Sequence, residues 1–304
     1  MERIAAVTGA TGTLGRHIVS LLLDQNWKVR VLSRGTKTID SRVELIIGSL
    51  SDKSILSRLV DGVDAVFHCA AEIYDASCMR EVNVDGTARL LEALDNKRLK
   101  YFCHVSSVIV VGSVGPSVVT EETPCYPVTD YEKTKWEGEQ LVHQWNGCDK
   151  VCILRPADAI DTDTLGMLAL GVRNSWIDRL RILLQGKVCT HLVYIKDIAA
   201  AALYFAENNF TSPGCFFVSC DDNEFNTVAG VYSICRSAIS GQKVPVPYAL
   251  PVFVPNLLRR LRRGRSLHAT ALFSSQKLKN NGFNLPYGLQ AGVKDILEKN
   301  GDIN

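Results

Sequence analysis

Short apolar runs alternate with amphipathic stretches through the first half of the chain. Ile4–Val7 is followed by Leu14, Ile18, Leu21 and Leu22 at helical spacing. A run buried on both faces, then a single apolar stripe, predicts a parallel strand and the helix that covers it. The same pattern predicts strands at Lys28–Ser33, Val43–Ile47, Asp64–His68, Tyr101–Val105 and Val151–Leu154. Helices are expected between them. One runs through Asn83-Val84-Asp85-Gly86-Thr87 to Leu90, Leu91 and Leu94, and another starts near Asp130 or Tyr131 and buries Gly138, Leu141, Val142 and Trp145. Strand and helix in this rhythm give right-handed crossovers and a doubly wound parallel α/β sheet. After Pro156 the regularity breaks up. Residues 157–190 read as mixed loop and helix, followed by a strand at His191–Ile195, a helix at Lys196–Glu207 and a strand at Cys215–Ser219. The remainder carries Pro245, Pro247, Pro251 and Pro255 and reads as part of a smaller lobe.

Composition narrows the class. With 304 residues and 46% hydrophobic positions, the chain can bury a large core with a smaller partner unit. A net charge of +2 gives no pull toward nucleic acid or anionic surfaces, and no apolar run reaches the ~20 residues of a membrane span. The first strand begins almost at residue 1, leaving no room for a signal peptide, so a cytoplasmic location is the expectation. The ten cysteines show no CxxC pair, and Cys69, Cys103, Cys152 and Cys215 fall in or beside apolar strands. They read as reduced thiols packed as small hydrophobes, with no metal site.

The chemistry begins at Gly9-Ala10-Thr11-Gly12-Thr13-Leu14-Gly15. Three spaced glycines occur in many turns. Between a strand and an apolar-faced helix, however, they make a cradle for a dinucleotide diphosphate, where a Cβ would obstruct backbone or phosphate. The second strand ends at Arg34-Gly35, with Lys37 nearby and no acid between Val31 and Ile39. An acid there would bind a ribose 2′-hydroxyl, whereas arginine suits a 2′-phosphate, so NADP is favoured over NAD. Small Ala70 and Ala71 follow the fourth strand, Ser106 and Ser107 the fifth, and Pro156 the sixth. His68, inside the fourth strand, reads as packed or bonded to backbone. Tyr131 and Lys135 share one face of their helix. A phenol beside an ammonium, with a serine hydroxyl to hold the substrate oxygen, can transfer a proton while a nicotinamide exchanges hydride; the ammonium is expected to lower the phenol's pKa.

In order and spacing the series resembles the extended branch of the short-chain dehydrogenase/reductase superfamily, which includes sugar-nucleotide epimerases, dehydratases and reductases. The resemblance implies a Rossmann domain at 1–156 plus about 191–220, and a substrate-binding lobe at 157–190 and 221–304. It implies Ser107, Tyr131 and Lys135 as the catalytic triad, with Ser107 chosen over Ser106 by aligning Gly112. It also implies cofactor contacts from Gly9, Thr11, Gly12, Thr13, Leu14, Gly15, Arg34, Leu50, Ala70, Ala71, Asn83, Ser106, Tyr131, Lys135 and Pro156. Arg155-Pro156, Tyr194–Ala199 and Phe283–Val293 match further segments of the branch. Ser49 departs from it, standing where the branch has an aspartate against adenine.

Val108-Ile109 follow Ser107 where dehydratases carry Asp-Glu, which argues against elimination of water. Arg34 favours a cofactor that arrives reduced and leaves oxidised. The expected reaction is NADPH-dependent reduction of a nucleotide-linked keto sugar, with Ser107 and Tyr131 on the substrate and Arg173 and Arg179 on its diphosphate. The alternatives are an NAD-dependent 4-epimerase, a 3β-hydroxysteroid dehydrogenase-like enzyme and, from another class, a non-catalytic NADP sensor; such sensors usually lose the tyrosine or lysine kept here. The expected partners are a small-molecule substrate and a second copy in a homodimer, without nucleic acid or membrane contact. The basic run Arg259–Arg265 reads as a solvated face.

Overall fold

A computed structural model describes residues 3–35, 40–94, 99–112, 114, 118–163, 165–251 and 271–302. Lys37, Pro255 and the run Arg259–Arg265 lie outside these residues. The centre is a seven-stranded parallel sheet built from β1 (Ile4–Thr8), β2 (Lys28–Ser33), β3 (Glu44–Ile47), β4 (Ala65–His68), β5 (Leu99–Val105), β7 (Cys148–Pro156) and β10 (Gly214–Val218). Their spatial order is β10-β7-β5-β4-β1-β2-β3, with every pair parallel. This is the doubly wound arrangement expected from the alternating pattern. The order reverses beside β1, which places the glycine turn and the ends of β4 and β5 along one crevice.

Alternation along each strand sorts residues to two cores. Ala5, Val7, Phe67 and Cys103 pack on one face, where α1 (Thr13–Asp24) and α8 (Ile195–Glu207) contribute Ile18, Leu22, Ile198 and Ala202. Ala6, Val66, Phe102 and Val151 pack on the other, against Leu56 and Leu59 of α2 (Lys53–Leu59) and Val142 of α5 (Asp130–Gln144). Between β4 and β5 the chain is helical from Ala76 to Leu94, as α3 (Ala76–Arg80), a π-turn (Glu81–Asp85) and α4 (Gly86–Leu94). The predicted plain helix thus contains one wider turn, centred on Asn83, of a kind concentrated at functional sites.

Short β6 (Val118–Val119) pairs with β11 (Leu272–Phe273), and beyond β7 a further two-stranded parallel sheet pairs β8 (Asp158–Ile160) with β9 (Leu192–Tyr194). Around it lie α6 (Ala169–Arg173), α7 (Trp176–Gln185) and α9 (Val228–Ser240). Leu170, Ile182, Val188, Val228 and Ala229 form a small core of their own. The C-terminal segments behave differently. Leu278 of α10 (Gln276–Asn280) and Leu289, Val293 and Ile296 of α11 (Gly288–Lys299) join the main core beside α8 and β9. All ten cysteines are free.

Candidate active site

At the end of β1, Gly9 turns the chain with φ +66°, and a Cβ there would sit 2.6 Å from the Ala70 amide nitrogen. A Cβ on Gly15 would lie 2.1 Å from the Gly9 carbonyl oxygen. Helix α1 is capped only by Gly12, with no side-chain cap and no acid in its first turn. Its free amide donors and positive end suit a diphosphate laid over the bend, and the missing Cβ atoms leave backbone open to it, so the residues present fit a nicotinamide dinucleotide. Gly15→Ala is therefore expected to weaken binding of a nicotinamide dinucleotide by at least about tenfold and to lower the melting temperature, measured by calorimetry and thermal unfolding. Unchanged affinity would show that the bend does not hold phosphate.

A buried polar relay runs behind this cradle. Thr87 Oγ1 donates to the Asn83 carbonyl (2.8 Å), so it accepts from His68 Nε2 (2.9 Å). His68 Nδ1 then accepts from the Thr8 hydroxyl (2.7 Å). The relay fixes the tautomer, and burial pushes His68 down to about pKa 3, so the ring is neutral. His68 is packed, as expected, but its partners are hydroxyls rather than backbone. Asn83 clamps the chain after β4, accepting from the Glu72 amide (2.8 Å) and donating to the Glu72 carbonyl (2.9 Å) and Thr134 Oγ1 (3.1 Å). Gly138 permits α5 to press on this turn, since a Cβ there would lie 2.4 Å from the Asn83 oxygen. Asn83 thus positions backbone beside Ala70 and Ala71 and joins it to the tyrosine helix.

Helix α5 starts with a capping box in which Thr129 and Glu132 satisfy each other's amides, placing Tyr131 in its first turn. One turn on, buried Lys135 donates to the Val105 carbonyl at 2.6 Å, which ties α5 to the end of β5 where Ser106 and Ser107 follow. Ser106 is buried; Ser107 is half-buried and caps a short 3₁₀ turn, accepting from the Ile109 amide (3.3 Å). Burial pulls Lys135 down to about pKa 8. The phenol departs from expectation. Burial, with the nearby Tyr74 hydroxyl adding, pushes Tyr131 up to about 12 rather than down, and the Lys135 ammonium is engaged at the Val105 carbonyl.

Other expected residues are spread around this centre. Arg34 is exposed at the tip of β2. Leu50 is buried, its side chain lying where a Cβ on Gly86 would fall. Pro156 ends β7 opposite Val218. Arg173 pairs with Asp178 (3.0 Å) and Arg179 Nε donates to Asn174 (3.2 Å), both on the outside of the smaller lobe. Sequence reading missed Glu139, which receives two hydrogen bonds from Arg155 (3.0 and 2.6 Å) with both side chains buried. Its position one turn after Lys135 was the available signal. Burial opposes ionisation of Glu139, but His143 and Arg155 hold it down at about pKa 2.

The sheet order, the glycine bend and the crevice beside them are those of the extended short-chain dehydrogenase/reductase class. The chain belongs to the NAD dependent epimerase/dehydratase family, whose sequence profile matches residues 5–217. It is 31% identical over 219 residues to a 4-hydroxy-2-methyl-3-oxo-4-farnesyl-3,4-dihydroquinoline-1-oxide ketoreductase of Stigmatella aurantiaca, covering 66% of this chain and 64% of that one. It is 32% identical over 170 residues to a 3 beta-hydroxysteroid dehydrogenase/Delta 5-->4-isomerase of Mycobacterium tuberculosis, covering 50% and 45%. The match therefore spans less than two thirds of either relative. Among solved structures, the Bordetella bronchiseptica enzyme WbmG in complex with NAD superposes with a TM-score of 0.76 at 17% identity, over 100% of this chain and 96% of that one.

Proposed function

We propose that the protein reduces a ketone to a secondary alcohol with NADPH, using Ser107, Tyr131 and Lys135. The observation that carries this is the placement of Tyr131 one helical turn before Lys135, whose ammonium is bonded to Val105 on the strand that delivers Ser107. A phenol raised to about pKa 12 is protonated at neutral pH, the form that has a proton to give to a carbonyl oxygen. Ser107, half-exposed where Ser106 is buried, holds that oxygen toward Tyr131. Lys135 fixes the helix and places a positive charge near the developing alkoxide. Gly9, Thr11, Gly12, Thr13, Leu14 and Gly15 would hold the diphosphate, Leu50, Ala70, Ala71, Asn83 and Pro156 would flank the rest of the dinucleotide, and Arg34 would meet the 2′-phosphate. The bound nicotinamide would supply the hydride.

For the substrate we favour an apolar ketone over the nucleotide-linked sugar. Arg173 and Arg179, the residues meant to grip a diphosphate, are engaged with Asp178 and Asn174 on the outer surface. The relatives at 31% and 32% identity are named for a farnesylated quinoline and a steroid. A panel of steroid and isoprenoid ketones, nucleotide 4-keto sugars and short ketones, followed by NADPH absorbance, tests both choices. Turnover confined to nucleotide sugars would overturn the apolar substrate. Interconversion of two sugar epimers without net NADPH use would overturn the reductase.

Cofactor choice has its own test. Arg34→Ala is expected to raise the NADPH dissociation constant by about tenfold or more and leave that for NADH unchanged, the effect of one charge-assisted bond to phosphate. Tighter binding of NADH than NADPH by the native protein would remove the preference.

A further inference from the structure

We propose that Cys189, His191 and Asp221 form a binding site for a thiophilic divalent cation of the zinc class. Cys189 Sγ lies 3.4 Å from His191 Nδ1, and Asp221 Oδ2 lies 2.6 Å from the same nitrogen. The three donor atoms all fall within 4.8 Å of one another, the one such cluster among the described residues. Sulfur, imidazole nitrogen and carboxylate oxygen together are a zinc-type ligand set. Tetrahedral zinc, with bonds of about 2.0–2.3 Å, spaces its ligands roughly 3.3–3.7 Å apart. The sulfur and nitrogen already stand at that spacing. The nitrogen and oxygen, now joined by a proton, need to part by about 1 Å when a cation replaces it.

The surroundings hold these ligands in place. Buried Asn226 accepts from Thr190 Oγ1 (2.6 Å) and the Leu192 amide (2.9 Å), the residues on either side of His191. Its amide nitrogen donates to the Leu192 carbonyl (3.0 Å) and to Asp221 Oδ1 (3.2 Å). The Phe273 amide donates to Asp221 Oδ2 (2.9 Å), and the Asp158 amide holds the His191 carbonyl (2.9 Å). Such outer hydrogen bonds orient metal ligands and raise their affinity. Cys189 and His191 are half-buried, and water would complete the tetrahedron as fourth ligand. A cation here would fasten the segment before β9 to the loop after β10. Sequence spacing does not show the site, because β9 and the loop after β10 bring Asp221 to residues 30 positions earlier.

The test uses the full chain, stripped of metal and titrated with Co²⁺ and then Zn²⁺ at about pH 8.5, where protons compete less for the ligands. One equivalent of Co²⁺ is expected to bind with a sulfur-to-cobalt charge-transfer band. Cys189→Ser is expected to abolish the band, and His191→Asn to weaken binding about a hundredfold, while both metal-free variants keep their NADPH affinity. X-ray absorption of the native zinc form, which needs no variant, is expected to show one sulfur at about 2.3 Å among lighter ligands at about 2.0 Å. No binding at about millimolar cation, a cobalt band that survives Cys189→Ser, or a zinc shell without sulfur would each overturn the proposal.

Discussion

Tyr131→Phe is expected to lower turnover with NADPH by about 10²–10⁴-fold, the usual worth of a positioned general acid, while the NADPH dissociation constant moves by less than about twofold. The hydroxyl is removed and the ring is kept, so packing in the first turn of α5 survives. The capping box of Thr129 and Glu132, which fixes that turn, does not involve the phenol. The pH profile gives a second measurement. Tyr131, held at about 12, stays protonated across the accessible range, so it does not limit reduction at high pH. Lys135 is pulled to about 8, and its charge is present below that value and lost as pH rises through it. The native rate of reduction is therefore expected to fall above about pH 8 because of the lysine. Turnover retained in Tyr131→Phe would mean that another group delivers the proton. A rate that keeps rising past pH 8 would remove Lys135's charge from the mechanism.

The sheet was readable because buried parallel strands are continuous apolar runs. Lys28–Ser33 is found over the expected residues, and β1, β4 and β5 within two of them. Tyr131 and Lys135 were readable because helical spacing places i and i+4 together whatever the tertiary fold. What stayed hidden depended on partners from elsewhere in the chain. The π-turn around Asn83 has no signature in its own sequence, since its side chain answers to Glu72 and Thr134. Glu139 is buried because Arg155 of a neighbouring strand meets it, a partner its own helix does not reveal. Helix α7 fails in the opposite direction. Trp176, Ile177 and Leu180 are apolar yet 74%, 60% and 46% exposed, so apolar residues alone do not say which face meets the core.

Glu139→Gln is expected to be the most destabilising single change at a position that carries no chemistry. The substitution keeps shape and volume, but it leaves the buried Arg155 guanidinium without the carboxylate hydrogen-bonded to it, beside the rings of Trp136 and Phe217 at 5.5 and 5.7 Å. Removing one partner of a buried ion pair costs about 3–5 kcal/mol. In a chain of this size that corresponds to a melting temperature lower by roughly 10 °C. Replacing both partners by leucine is expected to recover much of the loss, because the cost lies in the uncompensated charge. The acid dependence fixes the sign. A carboxyl held at about 2 from an ordinary 4.5 contributes stability that is fully present above its ordinary value and lost as pH falls through about 2. The gap in stability between native protein and Glu139→Gln should thus be constant near neutrality and narrow as pH falls from 4.5 toward 2. A gap that widens on acidification, measured by denaturant unfolding at several pH values, would show that Glu139 is not held ionised by Arg155. Because Arg155 ends β7 beside Pro156 and Glu139 follows Lys135 on α5, the same pair sets the distance between the tyrosine helix and the sheet, so loss of stability and loss of catalytic alignment are expected together.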